Sequence, residues 1–175
     1  MATQYQNLSE YDPEALPSKL RLSKQQYAIV VADWNSEITH SLMNAAISTF
    51  EKNGVKPNNI KVIHVPGTFE LTFAAKELAK DYLCEIENRK VMRYSAVIVI
   101  GCVIQGDTPH FDYVCAEASK GVAHVGLETG VPVAFGVLTT ENIEQAVERA
   151  GTKAGNKGVD AAMTAIEMVN LLKNI

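Results

Sequence analysis

The segment Gly101–Val114, GCVIQGDTPHFDYV, collects two glycines, an Asp-Thr-Pro turn and an imidazole directly behind an apolar run, SAVIVI. A plain connection needs one or two turn residues. This one offers close backbone approach at Gly106, a hydroxyl at Thr108 and, at His110, a group suited to acid–base work near neutral pH. A histidine there equally fits a satisfied structural residue, so its meaning rests on its company. Trp34, the single tryptophan, stands in DWN after another apolar run. It reads either as a cover over the core or as a flat platform for a planar heterocycle. In PGTFE (66–70), Pro66 and Gly67 turn the chain, and Phe69-Glu70 open a helix whose first amides suit oxyanions or hydroxyls. RAGTKAGNKG (149–158) sets Arg149, Lys153 and Lys157 among three glycines, which reads as an anion site. A cationic helix C-cap accounts for the same composition. It is not a Walker A loop, because Lys157 is followed by Gly158 and the glycine spacing is wrong.

The elements that must position these groups follow from periodicity. YAIVVAD (27–33), IKVIHV (60–65), SAVIVI (95–100) and VPVAFGVL (131–138) are short, apolar and rich in β-branched residues, as strands are. Ile38, Leu42, Ala45, Ala46 and Phe50 recur at helical spacing, and Gly54 marks the stop. Further helices are expected from about Phe69, from Asp112 to Glu128, from an N-cap at Thr140 to Ala150, and from Val159 to Lys173. The charged segment 81–94 reads as an extended helix end or a surface loop. His40, His64 and His124 fall inside regular elements and read as structural.

Strands alternating with helices, each strand apolar on both faces, require a parallel sheet covered on both sides. The expectation is an α/β, three-layer αβα sandwich with four parallel strands in flavodoxin-like order 2-1-3-4. Ligands in such sheets bind outside the carboxyl ends of the strands. Trp34, PGTFE and the GCVIQGDTPHFDYV segment all leave a strand on that rim. Arg149 does not: a helix starting at Thr140 has carried the chain ~13 Å from the rim by then. Arg149 and Lys157 are therefore expected to serve the rim of a neighbouring subunit.

Composition excludes several classes. At 175 residues the chain suits one domain, residues 27–175, with residues 1–26 as a polar N-terminal arm that reads as a disordered terminus or, through Tyr5, Leu8, Tyr11 and Leu16, as a docking segment. A net charge of −4 gives no reason to expect nucleic acid or an anionic membrane as partner. No apolar run approaches the ~20 residues of a bilayer span. The three cysteines form no ligand spacing and no disulfide framework, so neither a metal nor an oxidising compartment is indicated, and a cytoplasmic setting is expected.

WN (34–35), VPGTFEL (65–71), GCVIQGDTPHFDYV (101–114), FGVLTTENIEQA (135–146) and RAGTKAGNKG (149–158) occur in one order within one domain. In this the chain, from Tyr27 onward, resembles the 6,7-dimethyl-8-ribityllumazine synthases. The resemblance implies condensation of 5-amino-6-(D-ribitylamino)uracil with 3,4-dihydroxy-2-butanone 4-phosphate, the penultimate step of riboflavin biosynthesis, with no metal or organic cofactor. It implies that Trp34 stacks on the pyrimidine, that Thr68, Phe69 and Glu70 hold the ribityl chain, and that Cys102, Val103 and Ile104 line the pyrimidine pocket. Asp107 and Thr108 would meet the phosphate substrate, with Arg149 as its principal ligand, and His110 would transfer protons. Phe135 and Lys157 would reach across a subunit boundary. Family members form homopentamers, and some pack twelve of them into an icosahedral, sixty-subunit shell; both assemblies stay open here. Many relatives carry Phe where this chain has Trp34, and the larger ring suits flavin-like molecules. A flavin-binding module and a shell-forming protein without catalysis are the alternatives on the same fold.

Overall fold

The computed structural model describes residues 16–172 and 175. Most of the expected arm, including Tyr5, Leu8 and Tyr11, lies outside the described residues, as does Lys173. The described end of that segment lies against the domain. Leu16 packs on the core, α1 (Lys19–Leu22) buries Leu22 completely, and Gln25 accepts a hydrogen bond from the Tyr27 hydroxyl.

The central sheet has four parallel strands in the order β2-β1-β5-β6, the expected 2-1-3-4 arrangement. They are β1 (Tyr27–Ala32), β2 (Ile60–Val65), β5 (Ala96–Ile104) and β6 (Val133–Thr140). Alternation along β1 and β5 divides the core in two. Tyr27, Ile29 and Val31, with Ile98 and Ile100, face α2 (Ser36–Lys52) and α6 (Lys157–Leu171). Ala28, Val30 and Ala32, with Val97 and Val99, face α3 (Leu71–Lys80) and α4 (His110–Thr129). Successive side chains of a strand point to opposite faces, so an unbroken apolar run is what a doubly covered strand requires. β1 is buried throughout, whereas the edge strands β2 and β6 alternate with exposed positions. Tyr27 stacks on Phe50 at 4.4 Å between ring centres, pinning α2 to the sheet.

Several boundaries differ from expectation. β5 runs four residues further, to Ile104, because β6 pairs with it as far as Thr140. Thr140 is accordingly a buried strand residue, and Asn142 caps α5 (Ile143–Glu148) by accepting from the Gln145 N–H. Segment 81–94 is neither a helix end nor a loop but an antiparallel hairpin, β3 (Tyr82–Ile86) with β4 (Arg89–Met92). Glu87 and Asn88 make its turn at positive φ. Residues 150–156 form a second, smaller hairpin, β7 (Ala150–Thr152) with β8 (Gly155–Asn156). No helix among the described residues is long and apolar enough to cross a membrane.

Candidate active site

A cavity of about 710 Å³ opens at the carboxyl ends of β1, β2 and β5. Each strand delivers its residues by a local device. β1 ends at Asp33 and Trp34, whose amides bond the carbonyls of Val65 (2.9 Å) and Pro66 (3.1 Å), so the exits of β1 and β2 are held together. Trp34 is 73% exposed and faces the cavity, which rules out the reading of it as a cover for the core. Asn35 takes the left-handed conformation (φ 59°) that Asn tolerates, and its amide donates to the Cys102 carbonyl at 3.0 Å. That bond ties the Trp34 turn to β5.

After β2, the turn at 66–70 brings Thr68, Phe69 and Glu70 to the same cavity. Thr68 is buried, while Phe69 stands exposed. The turn fits against β5 because position 101 is glycine. A Cβ there would lie 2.7 Å from Thr68 Oγ1 and 2.9 Å from Leu71 Cδ1, so any side chain would push the turn away. Gly101 thus serves packing, whereas Gly106, with open space around it, lines the cavity together with Gly67.

Cys102, Val103 and Ile104 form the cavity's floor as the last residues of β5. Burial pushes the Cys102 thiol up to about 11, so it is neutral near pH 7 and lines the floor as a small apolar group. Thr108 and His110 form the adjoining wall, His110 being the first residue of α4 and exposed to the cavity. Asp107, its neighbour in sequence, is exposed and lines neither cavity. Sequence reasoning missed Tyr113, Val114 and Glu117 on the same wall. Their spacing of three, four and seven from His110 is one face of a helix, a signal present in the sequence.

Phe135, Arg149 and Lys157 are not in this cavity. They line a second one, of about 610 Å³, against β6 and α6, which shares no residue with the first. Arg149 donates one of its guanidinium bonds to the Gln145 carbonyl at 2.9 Å, and Lys157 Nζ meets Asp160 at 2.6 Å. Lys153, read with them as an anion ligand, pairs instead with Glu148 at 3.3 Å. The glycines of this segment are also explained without an anion. Gly151 and Gly155 have positive φ in the small hairpin, and a Cβ on Gly158 would collide with the Leu42 carbonyl where α6 crosses α2.

Two histidines read as structural prove to be close to the rim. His64 Nδ1 and His40 Nε2 both meet Asp33 Oδ1, at 2.7 and 3.3 Å. Hydrogen bonds from His64 and then His40 hold the Asp33 carboxyl below the ordinary carboxylate range.

A four-stranded parallel sheet with helices on both faces, an indole and an imidazole lining a cavity on one rim, and an arginine and a lysine lining a second cavity define an α/β protein with two candidate sites. The comparisons narrow this to one family. The sequence model of 6,7-dimethyl-8-ribityllumazine synthase matches residues 24–173. The 6,7-dimethyl-8-ribityllumazine synthase of Parabacteroides distasonis is 51% identical over 170 residues, covering 97% of this chain and 98% of its own. That of Porphyromonas gingivalis is 50% identical over 171 residues, covering 98% of each. The chain belongs to the 6,7-dimethyl-8-ribityllumazine synthase family.

Proposed function

We propose that this chain condenses 5-amino-6-(D-ribitylamino)uracil with 3,4-dihydroxy-2-butanone 4-phosphate, releasing phosphate and water to give 6,7-dimethyl-8-ribityllumazine. The observation that carries the reading is the rim cavity, which an exposed indole and an imidazole line together on a chain of this family. Trp34 stacks on the pyrimidine, and the floor of Cys102, Val103 and Ile104 bounds the ring's other edges. Thr68, Phe69 and Glu70 hold the hydroxylated ribityl chain.

The amine attacks the butanone carbonyl and water leaves as an imine forms. Loss of a proton from the neighbouring carbon expels phosphate and leaves an enol that becomes a ketone. The ribitylamino nitrogen attacks that ketone, and departure of a second water completes the new ring. Each step moves protons between nitrogen, carbon and oxygen, and His110 is the group placed to carry them. Thr108 and Asp107 lie at the phosphate end, and the phosphate itself requires a cation that the rim cavity of one chain does not contain. Arg149 supplies it from a second subunit, with Phe135 and Lys157 of that subunit meeting the pyrimidine and its ribityl chain. The active form is therefore a homo-oligomer, a pentamer by family pattern, with each site built from the rim of one chain and the cationic cavity of the next. We place it in the cytoplasm, where the three free thiols remain reduced.

The test is a direct assay with the two purified substrates, following lumazine fluorescence and released phosphate together. The expected result is one phosphate per lumazine. A folded oligomer that binds the pyrimidine yet releases neither product would overturn the catalytic reading and leave a binding module.

A further inference from the structure

We propose that Asp33, His40 and His64 form a binding site for a divalent transition-metal ion of the zinc and nickel class, beside the turn that carries Trp34. The three ligands come from three different elements: the exit of β1, the second turn of α2 and the edge strand β2. Their donor atoms lie within 4.8 Å of one another. Two imidazoles and one carboxylate are a donor set that zinc, nickel and copper accept readily.

Geometry supports convergence rather than chance proximity. Both imidazoles address the same oxygen, Asp33 Oδ1, and the rings are nearly perpendicular (88°), so they approach it from different directions. Zinc with bonds of ~2.0–2.1 Å and tetrahedral angles holds its ligand atoms roughly 3.3 Å apart. His40 Nε2 and Asp33 Oδ1 are already separated by 3.3 Å. His64 Nδ1, at 2.7 Å, has only to withdraw by about half an ångström as the ion replaces the shared proton. The backbone is prepared for this, because Asp33 is tied to Val65 by its amide and His64 is held opposite Val31 in the sheet. All three side chains are about half exposed, which gives an ion a path of entry and leaves a coordination position for water. Bound there, one residue from Trp34, the ion would fix the β1–α2 turn on which the indole stands.

Two other places attract zinc weakly and serve as controls. His124 and Glu128 form an i,i+4 pair at 3.5 Å, and Cys84 is an exposed thiol. The full chain carrying Cys84→Ser is titrated calorimetrically with zinc chloride, and nickel-dependent quenching of its single tryptophan is recorded in parallel. One zinc per chain is expected. Its affinity should fall about tenfold or more in His40→Asn and in His64→Asn, and should be unchanged in His124→Ala. Quenching by nickel should saturate and disappear with the same two substitutions. Absence of saturable zinc binding, or binding that survives in both single variants, overturns the proposal. Because these histidines are partly exposed and each is replaced singly, circular dichroism of the two variants separates lost ligation from lost structure. None of these readouts depends on the condensation reaction.

Discussion

At the scale of single residues, His110 is the imidazole that lines the rim cavity, and imidazole is the side chain most often used for general acid–base work. Cys102, on the floor, has a buried thiol raised to about 11, so it is no ready covalent catalyst. What remains is proton transfer plus the holding of two substrates, and orientation alone is worth up to ~7–11 kcal/mol in favourable cases. His110→Ala is therefore expected to lower turnover by about 10²-fold while leaving measurable product formation. Arg149→Ala acts on another quantity: loss of a charged hydrogen bond to phosphate should raise KM for the butanone phosphate by about 10- to 100-fold. Steady-state rates with each substrate varied separate the two. Full activity in His110→Ala at neutral pH would remove the proton-transfer role.

At the scale of elements, the close crossing of α2 and α6 carries a prediction. Gly158 lies so near Leu42 that a methyl group meets backbone, which cannot swing aside as a side chain does. Gly158→Ala should cost about 1–3 kcal/mol in urea denaturation. Gly106→Ala, where nothing lies within 4 Å, should leave stability nearly unchanged. Equal stabilities would mean that the helices are not packed this closely. The same glycine shows where reading from sequence stops. Composition places Gly158 in an anion loop, and only the packing of two helices distant in sequence shows that its missing Cβ serves the core. The parallel sheet and its order were legible, because a doubly covered strand must be apolar on both faces and β1 and β5 are. The hairpin at 82–92 was not, since β3 is exposed along its whole length and carries no alternation for a core to impose. The His40–Asp33–His64 cluster was equally hidden, because its members meet only through the register of β1 with β2 and the turn of α2.

At the scale of the whole molecule, the rim cavity and the cationic cavity have no lining residue in common, yet the proposed mechanism uses both. A contact that joins two different faces of the same chain is heterologous, and repeated by rotation it closes into a ring. In the assembly we propose, each ring site takes His110 from one subunit and Arg149 from the next. This makes the assembly testable with two impaired proteins. A chain carrying His110→Ala keeps its cationic cavity, and a chain carrying Arg149→Ala keeps its rim. In oligomers assembled from an equal mixture, about a quarter of the interfaces pair an intact rim with an intact cationic cavity. Activity at low butanone phosphate should therefore rise well above that of either variant alone, towards about one quarter of the unsubstituted protein. The double variant, mixed with unsubstituted chains, serves as the dilution control. If both groups served a site within one subunit, no interface in the mixture would be restored and activity would stay at the average of the two variants. Co-purification of differently tagged chains establishes that mixing occurred, so that a flat result counts directly against a shared site.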